Sequence, residues 1–154
     1  IRYDSTDYDW INATSNQNPT NYSLINEYIF DWNSTNQQYG FADYFKSGCG
    51  YWLYAYVDCE LRLDNIALPP EDSFITNLNT GWNLVGIPFS QALGKMFLYV
   101  NDTHWNTAVT TGMISDYVFG WNRVGQSYEF YDFFEPGQAY WMYAFQTCNL
   151  KQNN

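Results

Sequence analysis

The chain has 154 residues, only 14% of them charged, with six Lys and Arg against sixteen Asp and Glu and a formal net charge of −10. Six basic side chains neutralise too few phosphates for nucleic-acid binding or for charge-driven docking on an anionic membrane, and no apolar run approaches the roughly 18 residues of a membrane-spanning helix. Aromatic residues make up 21%, with 15 Tyr, 11 Phe and 7 Trp, so the chain can bury large areas while Asn, Gln, Ser and Thr supply a polar surface of the kind common on secreted proteins.

Apolar and polar residues alternate with period two along most of the chain, which predicts strand after strand. In chain order the strands fall at 9–12, 27–33, 39–45 and 50–61, then at 74–78, 82–88, 97–101, 116–122, 127–134 and 138–150. Segments 33–38 and 122–126 read as hairpin turns, with Gly125 suited to a positive φ in the second. Ser47-Gly48 and Pro136-Gly137 read as the next turns. Helix is minor, confined to a turn or two at 18–26 and 91–98.

The strongest signal is internal. Residues 23–65 and 112–154 align without a gap at an offset of 89, and eighteen of the 43 pairs are identical, Trp32/Trp121, Tyr39/Tyr128, Trp52/Trp141 and Cys59/Cys148 among them. The expected fold is therefore all-β: two tandem homologous small β-sandwich or β-barrel-like domains, 1–64 and 65–154, related by the 89-residue repeat and joined through the proline-bearing stretch 64–72. Within 51–57, Trp52, Tyr54 and Tyr56 share one face and Tyr51, Leu53, Ala55 and Val57 the other. Apolar character on both faces marks a strand covered above and below.

Four Asn-x-Ser/Thr sequons occur, at Asn12, Asn21, Asn33 and Asn101, and Asn12 and Asn101 are 89 apart, as though one site had been kept in both units. Covalent N-glycans on an extracellular protein are the expected modification. Cys49 and Cys59 bracket an extended run that would hold them roughly 30 Å apart, far beyond disulfide reach. Cys59–Cys148, tying the two units, and Cys49–Cys148 are the candidate bridges, with three buried thiols the alternative.

Catalytic and metal-binding sets are thin. His104 is the only histidine, so no serine or cysteine has the partners of a triad, and no Cys or His spacing suits zinc. Asp4, Asp7 and Asp9 read as solvated loop carboxylates rather than calcium ligands. Asp43/Asp132 and Glu27/Asp116 are repeat mates, but mates in separate units rarely come within the 5 Å or so of a retaining glycosidase pair. Asp43 and Asp132 are expected to accept backbone N–H groups of the following turn. No enzyme activity, metal or cofactor is expected.

Gly81-Trp-Asn-Leu-Val-Gly-Ile-Pro88, followed some fifty residues on by Pro136-Gly-Gln-Ala-Tyr-Trp141, resembles a repeat of archaeal and bacterial cell-surface and extracellular proteins that opens with a GWNL-x-G-x-P strand and closes with a PG-x-x-YW strand. The resemblance implies a small β-rich extracellular building block and brings no catalytic residues. The first unit shows only the closing strand, as Ser47-Gly-Cys-Gly-Tyr-Trp52. Its opening strand would precede Ile1, which leaves a sheet edge open to strand addition from a neighbouring subunit. The reading that gathers these observations is an N-glycosylated structural subunit of an extracellular filament, sheath or surface layer, partnered by copies of itself. The alternative is a carbohydrate-binding module stacking sugars on Trp10, Trp32, Trp105 and Trp121, which needs those rings in an open coplanar row.

Overall fold

The structure is a computed structural model that describes residues 1–15, 22–63, 73–89 and 91–153. The sequon at Asn21, the joint at 64–72 and the boundary between the expected domains lie outside the described residues.

The first part contains β1 (Arg2–Tyr3), β2 (Thr6–Asp7), α1 (Trp10–Thr14), β3 (Ile25–Asn33), β4 (Gln38–Phe41) and β5 (Tyr51–Ala55). The second contains β6 (Ser73–Leu78), β7 (Gly81–Gly86), β8 (Leu93–Gly94), a 3-10 turn at Lys95–Phe97, β9 (Leu98–Val100), β10 (Thr103–His104), α2 (Trp105–Thr110), β11 (Ile114–Asn122), β12 (Ser127–Phe130), β13 (Phe133–Phe134), β14 (Ala139–Ala144) and β15 (Cys148–Asn153). The class is all-β, and all strand pairs are antiparallel.

In the second part, one four-stranded sheet runs β12-β11-β14-β7 and another β10-β9-β15-β6. Their inner residues form one cluster: Val85, Ile114, Val118, Tyr140, Met142 and Ala144 from the first sheet, Leu78, Leu98, Val100, Cys148 and Leu150 from the second. Trp105 and Ala108 of α2 join the same cluster. The first part has a three-stranded sheet, β4-β3-β5. Its buried cluster is smaller: Ala13, Leu24 and Ile25, with Ile1, Tyr3, Tyr8, Trp10, Leu53, Val57 and Cys59 packed around it.

The 89-residue offset is visible in the strand registers. Phe30↔Phe41 and Trp32↔Tyr39 recur as Phe119↔Phe130 and Trp121↔Tyr128. Phe30↔Trp52 and Ile25↔Ala55 recur as Phe119↔Trp141 and Ile114↔Ala144, with a bulge at the same place in β3 and β11. A side chain serves each bulge: Asn26 Oδ1 accepts from Tyr28 N at 2.8 Å, and Ser115 Oγ from Tyr117 N at 3.2 Å. The hairpin turns match as well. Asn33 Oδ1 accepts two backbone N–H groups, as does Asn122 Oδ1.

Several expectations are corrected. Segment 9–12 is helical, because Asp9 caps α1 by accepting from Asn12 N at 2.8 Å. The left-handed residue of each hairpin is a glutamine, Gln37 at φ 53 and Gln126 at φ 49, rather than Gly125. Each glutamine donates from Nε2 to the backbone carbonyl three residues before it, Ser34 O at 2.7 Å and Arg123 O at 2.6 Å, which offsets the conformational cost. The single strands expected at 50–61 and 138–150 both break. β14 and β15 belong to different sheets, because Phe145–Thr147 turns the chain from one layer to the other.

Candidate functional site

In the sheet β4-β3-β5 and in its counterpart β12-β11-β14, period-two alternation places the aromatic side chains on the face away from the buried cluster. In the first part these are Tyr28, Phe30 and Trp32 on β3, Tyr39 and Phe41 on β4, Trp52 and Tyr54 on β5, and Tyr56 just beyond it. Their mates are Tyr117, Phe119, Trp121, Tyr128, Phe130, Trp141, Tyr143 and Phe145. Ring pairs repeat across the offset. Phe30–Phe41 centroids are 5.0 Å apart and Phe119–Phe130 4.8 Å, while Tyr54–Tyr56 and Tyr143–Phe145 are both 5.2 Å.

The two faces meet at one corner, and they meet reciprocally. Trp32 packs edge-on to Trp141 at 5.0 Å and 83°, while Trp121 packs edge-on to Trp52 at 5.3 Å and 76°. Tyr39 reaches Trp141 at 6.2 Å and Tyr128 reaches Trp52 at 6.1 Å. Each contact is answered by the contact between the two repeat mates, as at an isologous dimer interface written inside one chain. Burial there pushes the Tyr39 hydroxyl pKa above its ordinary value, and the neighbouring Tyr128 adds to the shift.

The periphery of the junction is not symmetric. β6 and β7 pass from one sheet to the other, β6 pairing with β15 and β7 with β14, and the Trp82 ring of β7 covers Phe119, Trp141 and Tyr143 at 5.9, 6.3 and 5.2 Å. The turn after β3 clasps the corner between β6 and β7. Trp32 Nε1 donates to Trp82 O at 2.7 Å, Gln37 both donates to Trp82 O and accepts from Trp82 N, and Asn79 Nδ2 donates to Ser34 Oγ. The outer edge of β7 pairs with the residues before β5 through the bridge Cys49↔Val85, with Gly50 N donating to Leu84 O and Gly86 N to Gly48 O. The edge expected to be open is thus met at its start by the chain's own β7, and β5 itself is the last strand of its sheet among the described residues.

The four tryptophans chosen from the sequence as sugar platforms form no row. Trp105 is buried and donates from Nε1 to Asp116 Oδ1 at 2.8 Å. Trp10 packs on the small cluster of the first part. Trp32 and Trp121 stand edge-on in the junction. The exposed rings of this face are instead Tyr28, Phe30, Tyr39, Phe41, Tyr54 and Tyr56 in the first part, and Tyr117, Tyr128, Phe130 and Phe145 in the second. Period-two alternation had placed most of them on one face, and what it missed was that this face is only partly covered.

Asn12, Asn33 and Asn101 are exposed, but Asn12 and Asn101 are not equivalent. Asn12 lies in α1, whereas Asn101 is the first residue of the β9–β10 turn, with φ 47 followed by Asp102 at φ 59. The matching turn of the first part is Asp4-Ser5, also at positive φ, so insertions upstream of residue 23 break the offset there. All three cysteines are free thiols, and neither expected bridge is made. Cys59 and Cys148 belong to different clusters. Burial raises the pKa of all three, which disfavours the thiolate needed of a nucleophile.

Asp132 does not bind its following turn as expected. Its carboxylate lies 3.1 Å from Lys95 Nζ, which also contacts Asp116 at 3.4 Å. The hydrogen bond from Trp105 Nε1, followed by Lys95, holds the Asp116 carboxyl below its ordinary pKa. His104 stacks on Tyr99 at 4.5 Å. No group of three or more His, Cys, Asp and Glu able to hold a metal occurs among the described residues, and no helix there is long and apolar enough to cross a membrane. No protein-family model, curated protein or solved structure matches the chain.

Proposed function

We propose that the chain is a structural subunit of an extracellular or cell-surface assembly, a filament, sheath or layer, that packs against copies of itself through its aromatic faces. The observation that carries this reading is the exposure of rings with no polar handle. Phe41 is 70% and Phe130 67% exposed, each flanked by a partly exposed tyrosine, Tyr28 and Tyr117, at 5.5 and 5.4 Å. Isolated soluble proteins rarely present such clusters, whereas interfaces bury them. The same patch occurs on both repeats, so each subunit carries two equivalent surfaces, as growth of a polymer needs.

Sugar stacking is less well served. The exposed ring pairs are tilted by 50°, 39°, 51° and 41°, not coplanar. N-glycans at Asn12, Asn21, Asn33 and Asn101 belong to the same reading, as a polar coat on a surface poor in charge. Electron microscopy of the purified protein, with sedimentation velocity, tests it. Ordered fibres, tubes or sheets are expected, and the double variant Phe41→Ser/Phe130→Ser should disperse them without unfolding the chain. Dispersed monomers of the unaltered protein at all concentrations, or assemblies indifferent to the double variant, would refute it.

A further inference from the structure

The turns after β3 and β11 are built alike, but their asparagines are not spent alike. Asn33 and Asn122 each fix their turn through Oδ1, which leaves the amide Nδ2 to differ. Asn122 Nδ2 donates to Glu129 Oε1 at 2.7 Å. The mate of Glu129 is Gly40, so Asn33 Nδ2 lacks this acceptor, and it donates to no other among the described residues. Asn33 is exposed and opens the sequon Asn33-Ser34-Thr35, whereas Asn122-Arg123-Val124 is no sequon.

The space beside Asn33 differs in the same direction. Asp31 and Asn33 share one face of β3, and both line a cleft of about 260 Å³ whose opposite wall includes Thr76 and Asn77 of β6. In the second part the mate of Asp31 is Gly120, and a Cβ there would meet the Tyr131 ring at 2.6 Å and Tyr140 at 3.1 Å. The mate of Tyr131 is Ala42, so the first part has no ring to close the space. The walls carry unused polar groups. The Asp31 carboxylate makes no hydrogen bond or ion pair among the described residues, and Thr76 Oγ1 is shielded from solvent without a partner. The charged side chains on the walls are Asp31 and Lys46, so the cleft is polar but has no net charge. Its volume matches about nine waters at bulk density, enough for one pyranose ring with its hydroxyls.

We propose that Asn33 carries an N-linked glycan whose first sugar lies in this cleft and bridges the two parts of the chain. Attachment forms a bond from the sugar C1 to Asn33 Nδ2. The amide gives up one proton, and the anomeric bond to the phosphate of an activated sugar donor breaks, the phosphate leaving with the bonding electrons. Oδ1 is untouched, so the turn keeps its two backbone bonds. The sugar hydroxyls supply donors to Asp31 and a partner to Thr76 Oγ1, and an uncharged ring suits walls without net charge. The second repeat lacks all three requirements at the matching place: the sequon, the free amide and the space. The sugar seat rests on the N-glycan part of the assembly reading and not on polymer formation.

The test compares the chain secreted by a glycosylating host with the same sequence made without glycosylation. Mass mapping of glycopeptides should find Asn33 occupied. Amide hydrogen exchange at 46–50 and 76–78 should be on the order of threefold to tenfold slower in the glycosylated form, with exchange at 114–122 unchanged. Asp31→Ala alters a side chain without a partner and keeps the sequon, so its glycan should remain while most of the slowing is lost. A bare Asn33 beside an occupied Asn12 or Asn101, equal exchange in the two forms, or slowing that Asp31→Ala leaves intact would overturn the sugar seat and leave the glycan coat standing. Glycan at none of the sequons would remove the coat and the seat together.

Discussion

The reciprocal junction makes an unusual demand on mutagenesis: mates should couple equally but cost unequally. Trp141 meets Trp32, Tyr39 and Trp82 and is 9% exposed. Trp52 meets Trp121 and Tyr128 but has no counterpart of Trp82 over it among the described residues. Truncating a buried tryptophan costs about 3–5 kcal/mol, and each edge-to-face contact contributes roughly 0.5–1.5 kcal/mol beyond area. Trp141→Ala should therefore lie near the top of that range, at about 4–5 kcal/mol. Trp52→Ala, half-buried and one ring poorer, should cost about 2–3 kcal/mol.

The coupling terms should nevertheless agree. A double-mutant cycle on Trp32 and Trp141 should return about 1 kcal/mol, and the cycle on Trp121 and Trp52 the same, because the two ring geometries differ by only 0.3 Å and 7° (5.0 against 5.3 Å, 83° against 76°). The bond from Trp32 Nε1 to Trp82 O is lost in the single and the double variant alike, so the cycle cancels it. Urea unfolding measures each corner. With a slope of about 2 kcal/mol per molar, a 4 kcal/mol loss moves the midpoint by about 2 M. Coupling below about 0.3 kcal/mol at either pair, or Trp52→Ala as costly as Trp141→Ala, would refute both the reciprocity and the missing cover.

Two further predictions follow from the glycines and from Asp116. Gly48→Ala and Gly137→Ala both place a side chain at positive φ, 75 and 74, which costs about 1 kcal/mol. Only the first also drives a Cβ into Phe74 and Thr76, so thermal unfolding should fall several degrees further for Gly48→Ala, and equal losses would contradict the asymmetry between these repeat mates. The lowered pKa of Asp116 makes its contribution to stability complete above the ordinary carboxylate range. That contribution is lost as pH falls through the depressed folded value. Asp116→Asn should flatten this acid limb in urea midpoints measured between pH 6 and pH 3, and an unchanged limb would show that the Trp105 and Lys95 contacts do not hold the charge.

The all-β class and the repeat were legible because both rest on local patterns: period two fixes strands, and an ungapped offset fixes equivalent registers. The offset even carried the bulges and the hairpin turns. It failed upstream of residue 23, where α1 and the Asp4-Ser5 turn match α2 and the Asn101-Asp102 turn at other spacings, and so the equivalence of Asn12 with Asn101 was a coincidence of number. The helix was missed because Trp10–Thr14 is too short for a periodic signal, although Asp9 as a cap was there to be read. The break between β14 and β15 was illegible for a different reason. An apolar run continues across it, and only packing decides that Tyr140, Met142 and Ala144 face one sheet while Leu150 faces them from the other.

The tryptophans show why composition alone misdirected the site. From the sequence, Trp32 and Trp121 at strand ends before turns look like exposed platforms, and each would be one if its sheet stood alone. Folding the two sheets together turns those ends inward, and the exposed surface passes to Phe41, Phe130 and their tyrosine neighbours further along the strands. A phenylalanine offers no hydroxyl or indole N–H to a sugar or to water, so its exposure argues for a dry partner. The duplication thus places one set of rings where the halves hold each other and leaves a second set, equivalent by the same offset, facing outward. Two outward patches related by an internal two-fold-like arrangement are the minimum a subunit needs to join neighbours on both sides.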